Sequence, residues 1–506
     1  GATHARHRAR AQARHAQAAG AAAGAAGEGA PRGPRELLQA FAMGKGGQKG
    51  LSPPPVLVTG KAPSAVLSRA ATGGAPVKAA DVSKHATEDD CWIVIKGKVY
   101  DVSGWKEHPG GKAVFSHAGR DATDAFTIWH PGSAWKDLER FYVGELDGPA
   151  LEADASEADQ ALLKDFRALR AQFKREGLFK SNKLFYAWKV LSTFALCVAA
   201  AAPAAMYGRD MSWAAYALSM CTMGVFFQQS GWLAHDFLHG QVFESRDLNE
   251  AFGYVIGNVW QGFSVAWWKN KHNYHHAACN EIEQDGTACD PDIDTIPLLA
   301  WDERMLSQLD NESALQKWVI KNQAALFFPM LSFAKFTWNL SSWADVHLAK
   351  ERSSAHYAVE VAALAAHYLW TAALCVYSFG VSPAALGYWI GANVVGGSLV
   401  AFVFVQSHNG KEVHAYADVS KNWIRMQVET TRNQFATPFN DWFSGALNMQ
   451  IEHHLFPTMP RHSLGKTRGR VRELCKKHDL LYEEHGWVEC TRRVLSHLDH
   501  ISRKLD

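Results

Sequence analysis

The sequence predicts two folds in series: a small α+β module over residues 81–148, then an all-α multi-pass membrane domain over 184–480 with a histidine-rich cap. Three observations carry that reading. Two short strand-like runs, Cys91–Ile95 and Lys98–Val102, flank a Lys96-Gly97 turn. Apolar stretches at 184–207, 211–233, 357–379 and 384–406 each reach the roughly twenty residues that a bilayer-spanning helix needs. Beside them sit three clusters: His235-Asp236-Phe237-Leu238-His239, His272-Asn273-Tyr274-His275-His276 and Gln450-Ile451-Glu452-His453-His454. With 506 residues, 47% of them hydrophobic, the chain can bury more than one core. A formal charge of +2 gives no basic face for nucleic acid. The eight cysteines are scattered without a Cys-x-x-Cys pair, so neither a disulfide framework nor a thiolate zinc site is expected, and the soluble parts should face a reducing compartment.

Residues 1–80 form a separate block rich in Ala, Gly and Arg, with Glu28 and Glu36 its only acids, and no core can be built from it. Acid-poor, Arg-rich leaders of this kind resemble organellar transit peptides, which predicts a chloroplast membrane. The first fifty residues hold no Ser, which favours the alternative, a plain disordered leader on an endoplasmic-reticulum protein. The chain begins at Gly1, which predicts a fragment or a processed form, and His4, His7 and His15 read as low-complexity residues rather than ligands.

Within the module, Trp105-Lys106-Glu107-His108-Pro109-Gly110-Gly111 cannot be helical through Pro109, and its two glycines let the backbone approach something flat and bulky. His130 follows the run Gly119-Arg120-Asp121-Ala122-Thr123-Asp124-Ala125-Phe126. On these residues the segment resembles the cytochrome b5 family, whose His-Pro-Gly-Gly motif matches His108 to Gly111 and whose second axial histidine matches His130. The resemblance implies haem b held between His108 and His130, with Phe126, Trp129 and Tyr142 lining the pocket. Two protein ligands leave no open iron position, so such a haem carries electrons and does not bind oxygen. His85 and His117 lack this context and are expected to face solvent.

Residues 149–183 read as a linker running into an amphipathic helix, a tether that holds a donor at millimolar effective concentration. Residues 481–506 read as a C-terminal tail. The four apolar stretches form two hairpins, broken at Gly208-Arg209-Asp210 and near Gly380 to Pro383; the first leads to His235, the second to Gln406-Ser407-His408-Asn409. An even number of spans then puts all boxes on one side. The stretches 251–268 and 324–340 must lie along the surface or re-enter, with Trp260, Trp267, Trp268 and Trp338 at the interface. Lys269, Lys271, Arg461, Lys466 and Arg468 mark the box side as cytoplasmic or stromal.

On a helix His235 and His239 share a face, and His272 matches both His275 and His276. Neutral imidazole suits iron, zinc and copper, so spacing leaves the metal open. With His408 the candidates number eight, more than the three or four that a tetrahedral zinc uses. Two irons with open positions for O2 could use them all. His347, His356, His367 and His414 belong to no box and are expected to be structural.

Together these motifs resemble the membrane fatty-acid desaturases, specifically the front-end group with a fused cytochrome b5 domain, of the plant and algal type. The His-x-x-x-His, His-x-x-His-His and Gln-x-x-His-His boxes match 235–239, 272–276 and 450–454, and Asp290-Pro291-Asp292-Ile293-Asp294-Thr295 and Leu455-Phe456-Pro457 match as well. Gln450 is the distinguishing residue; its amide could coordinate through oxygen or hold a metal-bound water. The resemblance implies a di-iron centre using O2 as co-substrate, with electrons from NAD(P)H arriving through a cytochrome b5 reductase or a ferredoxin-type donor and the haem. The substrate implied is a membrane lipid or other acyl chain, desaturated between an existing double bond and the carboxyl end. Asp236 and Glu452 are favoured over Asp292, Asp294 and Asn448 as partners orienting imidazoles. The alternatives are a sphingolipid long-chain-base desaturase, a lipid hydroxylase on the same scaffold and, from another class, a membrane electron carrier.

Overall fold

The computed structural model describes residues 76–148, 156–310, 312–415 and 422–505. The expectations for residues 1–75, including His4, His7 and His15, and for the first part of the linker, 149–155, lie outside them.

Val77–Lys78 (β1), Trp92–Ile95 (β2), Lys98–Asp101 (β3) and Tyr142–Asp147 (β4) form one sheet in the order β1-β4-β3-β2. The sheet therefore begins ahead of residue 81. Lys96 and Gly97 take φ of 52° and 74°, the pair of positive values that a two-residue hairpin of the twisted type requires. Alternation then sorts the side chains. Ile93, Ile95 and Tyr100 join Phe115, Leu138 and Phe141 on one face, whereas Val94 and Val99 pack with Val82 on the other. The helix Thr123–Trp129 (α1) ends at His130.

Glu157–Arg175 (α2) starts at Ser156, whose hydroxyl accepts from Asp159 N. Its apolar stripe of Leu162, Leu163, Phe166 and Phe173 is buried in a core shared with Leu455 and Phe456. One edge of that stripe holds α1, through Arg167 to Asp124 (2.7 Å) and Arg170 to the Thr127 carbonyl (2.6 Å). The amphipathic helix expected in the linker is thus a strut between the small module and the large one.

Four long helices follow: Lys183–Tyr207 (α3), Trp213–Leu238 (α4), Ser354–Phe379 and Pro383–His408, with Val265–Ala277 (α5) between the second and third, so the last two are α6 and α7. Ser212, Ser353 and Ser382 cap α4, α6 and α7, and Pro383 sits in the first turn of α7, where its missing N–H costs nothing. Helices α4 and α7 cross at Gly224, where a Cβ would come within 2.5 Å of Val395. Small residues at a crossing replace the hydrophobic drive that is absent between helices in lipid.

Three described helices are long and apolar enough to cross a membrane: Lys183–Asp210, Ser354–Phe379 and Pro383–His408. Leu184, Trp188 and Leu191 on the first and Leu369 and Tyr377 on the second are exposed, as lipid-facing residues are. The expected fourth span, α4, has 26 residues but buries Gln228, Gln229, Ser230, His235 and Asp236 in its second half.

Other expectations change with packing. Residues 251–268 do not form one surface element: Arg246–Gly253 runs into a π-helical turn, Tyr254–Gln261, which ends at Gly262 with φ of 94°. Trp267 and Trp268 are buried rather than interfacial. Of the five basic residues expected to mark a membrane side, Lys269 is half-buried and paired with Glu250 (2.6 Å), Arg461 is buried against Asp236, and Arg468 pairs with Glu484. Residues 481–505 are not a loose tail. Gln450–Leu455 (α8) carries the third box, and Trp487–Ser502 (α9) buries Cys490, Val494, Leu498 and Ile501, a stripe at helical spacing.

Candidate metal centre and haem pocket

Each box occupies a helix end or a short helix that its neighbours hold in place. His235 lies in the last turn of α4 and His239 caps it; His408 is the last residue of α7. Helix C-termini carry partial negative charge, so both long helices favour a cation where their histidines sit. Helix α5 brings His272, His275 and His276, and α8 brings Gln450, His453 and His454.

These side chains meet as two adjoining clusters. The first contains His235, His239, His272, His276 and His453, and the second His275, His408, His454 and Cys279, with the candidate ligand atoms of each cluster all within 4.8 Å of one another. In the first, Nε2 atoms follow one another closely: His235 to His239 at 3.0 Å, His239 to His272 at 3.0 Å, His272 to His276 at 3.1 Å and His276 to His453 at 3.1 Å. One proton can sit between two such nitrogens, yet every one of these atoms has a second nitrogen or a third imidazole pressed on it. Ligand nitrogens about 2.1 Å from an ion at right angles would be about 3 Å apart, so the spacing fits a shared cation. The rings of His276 and His454 lie 4.2 Å apart, which makes the clusters contiguous.

The second cluster shows the complementary sign, outward nitrogens already partnered. His275 Nδ1 pairs with Asp290 Oδ2 (2.8 Å), His454 Nδ1 with Gln427 Oε1 (2.7 Å) and His408 Nδ1 with the Thr430 carbonyl (3.2 Å). Such bonds fix the tautomer and turn Nε2 inward, and His454 Nε2 is buried without a hydrogen-bond partner. Cys279 Sγ lies on the outer nitrogen of His408 (3.2 Å), and Gln450 Nε2 on the inner one, His408 Nε2 (3.1 Å). The missing histidine of the third box is therefore replaced by an amide facing the second cluster, where its oxygen is buried and unpartnered. Burial holds His272 down to about 3 and His276 well below the ordinary histidine value, which leaves their lone pairs free for a metal. Burial also opposes charge on His275, but Asp290 and Asp292 outweigh it and raise that imidazole to about 9.

All seven box imidazoles, His408 and Gln450 are thus brought together. The orienting partners differ from expectation. Asp236 sits about 100° round the helix from His235 and forms a buried pair with Arg461; its carboxylate is 3.8 Å from His235 Nδ1, too far for a hydrogen bond. Glu452 accepts from Asn433 Nδ2 and the Tyr482 hydroxyl, both at 2.8 Å. The orienting carboxylate is Asp290, which the sequence singled out within the Asp290–Thr295 motif but not as the partner of a histidine; Gln427 and Cys279 did not stand out there. Of the histidines outside the boxes, His367 bonds the Val259 carbonyl (3.0 Å) as a structural residue.

In the small module His108 Nδ1 pairs with the Gly111 carbonyl and His130 Nδ1 with the Phe126 carbonyl, each at 3.0 Å. That leaves the two Nε2 atoms for an iron; the ring centroids are 5.8 Å apart, near the reach of two iron–nitrogen bonds of about 2 Å plus the ring radii. Burial lowers His108 to about 4 and His130 to about 3, so both imidazoles are neutral donors. Phe126 stacks on His130 at 4.3 Å, and Trp105 meets His108 edge-on at 4.9 Å. Trp129, expected in this pocket, points elsewhere, its ring 5.2 Å from both His239 and His276; Tyr142 packs on Tyr100 instead. The glycines also differ. A Cβ on Gly110 would meet His108 at 2.8 Å, and one on Gly111, whose φ is 73°, would meet Asn270 on α5 at 2.6 Å. His85 stacks on Trp92 (3.8 Å) and His117 is half-buried beside Ser116, so neither simply faces solvent.

Fold and clusters define a class: a membrane-type helical protein with a candidate two-metal histidine centre and a haem-type module docked against it. Residues 211–486 match the family model Fatty acid desaturase, and residues 78–147 match Cytochrome b5-like Heme/Steroid binding domain. Over 424 residues the chain is 44% identical to an acyl-lipid (9-3)-desaturase of Physcomitrium patens, covering 83% of this chain and 77% of that one. It is 33% identical over 432 residues to the Delta(6)-fatty-acid desaturase fat-3 of Caenorhabditis elegans, covering 79% and 94%. With Delta(8)-fatty-acid desaturase 2 of Arabidopsis thaliana it shares 31% over 427 residues, covering 82% and 90%. The chain belongs to the fatty acid desaturase family, with a cytochrome b5-like domain ahead of the desaturase domain, and is an oxidoreductase.

Proposed function

We propose that the protein is a front-end desaturase that inserts a cis double bond into a polyunsaturated acyl chain between an existing double bond and the carboxyl end. The observation that carries this reading is the amide of Gln450 beside His408 Nε2 in a centre otherwise built of imidazoles, with a haem-type domain docked on it. The names of the relatives, acyl-lipid (9-3)-, Delta(6)- and Delta(8)-fatty-acid desaturases, support it. His108 and His130 would hold the haem; His235, His239, His272, His276 and His453 would hold one iron; His275, His408 and His454, with Gln450 as ligand or water holder, the second. When bound, these groups supply single-electron transfer and the O2-dependent removal of hydrogen from two adjacent methylenes, chemistry beyond any side-chain acid or base.

The chain's own residues prepare that chemistry. Asp290, Gln427 and the Thr430 carbonyl hold the outer nitrogens of three imidazoles and so aim the inner ones. The box ligands are buried except His272, which is half-buried, and this enclosure keeps most bulk water off the centre. A topology of two hairpins, α3–α4 and α6–α7, would bring both histidine-bearing helix ends to one membrane face. Electrons would come from NAD(P)H through a cytochrome b5 reductase or ferredoxin-type donor. The leader favours a chloroplast membrane over the endoplasmic reticulum.

Expression in a host fed defined polyunsaturated acids, with double bonds located by mass spectrometry, tests the reading. A new double bond on the carboxyl side of an existing one is expected; a hydroxylated acid, a desaturated long-chain base or an unchanged profile would overturn it.

A further inference from the structure

We propose that the Trp129 indole is the electron bridge between the haem ligand His130 and the box residues His239 and His276. The proposal rests on the haem and di-iron reading above and adds the route between the two sites.

Trp129 is the last residue of α1 and His130 is its cap, so a haem ligand and the indole share one peptide bond. The ring leaves its own domain and meets His239 at 5.2 Å with a tilt of 31°, and His276 at 5.2 Å edge-on. Both are members of the first histidine cluster. Four further contacts clamp α1 from outside its domain. Arg246 donates to the Trp129 carbonyl (2.9 Å), Thr458 to the Ile128 carbonyl (3.4 Å) and Arg170 to the Thr127 carbonyl (2.6 Å), while Arg167 pairs with Asp124. A side chain that only lined a pocket would not need its backbone fixed to a different domain. Orbital overlap falls steeply with distance, and a conjugated ring in van der Waals reach of two ligands shortens the gap that an electron must cross. Saturated routes also cross the same interface: Asn273 Nδ2 donates to the Gly110 carbonyl (3.0 Å) and neighbours His272 in sequence, and the Lys112 N–H donates to Asn270 Oδ1 (3.1 Å), which links the His108 side to the second-box helix.

The step balances simply. A ferrous haem gives up one electron and becomes ferric, one ferric ion of the centre becomes ferrous, and no bond forms or breaks. The indole is never oxidised, because a ferric haem is far too weak an oxidant for it; it acts through its orbitals alone. Two such transfers, with the haem refilled each time by a one-electron reductase, supply the electrons that O2 needs beyond those of the two C–H bonds. With two protons from solvent, both oxygen atoms leave as water.

The test uses the full chain, loaded with haem and iron in lipid nanodiscs without oxygen. The haem is reduced by a flash-excited flavin, and its absorbance is followed as the electron passes to the ferric centre. Trp129→Leu, which removes the conjugated ring, should slow that decay several-fold or more, while Trp129→Phe lies between Leu and the parent. The Soret band, iron content and hydrogen-exchange protection of Gly110–Phe115 and Val265–Ala277 should stay unchanged in both. A parental decay rate in Trp129→Leu overturns the bridge and leaves the transfer to the saturated routes through the second-box helix. Slowing that appears only together with lost protection, or loss of haem or iron in both variants, overturns it too and makes Trp129 a docking residue. A parent chain that binds no iron or shows no decay phase defeats the di-iron reading itself, which is a separate result.

Discussion

Asp290 holds His275: the carboxylate Oδ2 lies 2.8 Å from the imidazole Nδ1, and both side chains are fully enclosed. Asp290 also accepts from the Asn280 backbone N–H (2.8 Å), so the loop after the second box is folded around this one carboxylate. Asp290→Asn keeps the shape and removes the charge. The expected result is iron affinity down by about 10–100-fold, as for other partners of metal-bound histidines. Iron per haem, read by mass spectrometry after dialysis, checks it; full iron retention would show that charge at this position is dispensable.

His272 touches both neighbours in the first cluster, His239 and His276. His272→Ala is expected to abolish desaturated product while the reduced haem spectrum survives, because His108 and His130 belong to a separate pocket. An unchanged lipid profile would sink the di-iron assignment.

His108→Ala removes one of two axial donors, and the Soret band should disappear with most of the turnover. Desaturation at the parental rate in that haem-free variant would defeat the electron-relay role of the domain.

Glu281 sits where the two domains meet, 4.0 Å from Arg120. Burial pushes its carboxyl up to about 7, against the pull of Arg120. Between the ordinary glutamate value of 4.5 and about 7 the folded chain keeps a proton that the unfolded chain has lost, so stability is fully present below 4.5 and drains away as pH rises through 7. Glu281→Gln should therefore raise the melting temperature at pH 8 and leave it nearly unchanged at pH 5. Equal shifts at both pH values would contradict the burial argument.

The box histidines were legible because their chemistry is local: ligands three or four apart on a helix announce a shared face whatever the rest of the chain does. His408 needed topology as well, since a lone histidine at a helix end has no spacing to betray it. The orienting groups were not legible. Asp290 comes from the loop after the second box, and Gln427 and the Thr430 carbonyl from the short helix Trp423–Glu429 and its cap; they reach their imidazoles only through tertiary packing, and no periodicity records that. Asp236 and Glu452 misled for the same reason, adjacency in sequence being mistaken for adjacency in space. The last helix was legible in principle, as Cys490, Val494, Leu498 and Ile501 fall on one stripe. Trp129 was visible as an aromatic beside a haem ligand, but its direction was not.

The loop His108 to Gly111 faces two ways. His108 Nδ1 bonds the Gly111 carbonyl, the Gly110 carbonyl takes the Asn273 amide, and the Lys112 N–H goes to Asn270. One short backbone segment thus shapes the haem pocket and forms the seam with the second-box helix. A displacement of this segment is therefore felt on both sides at once, at an imidazole of the small module and at the helix that carries three box histidines.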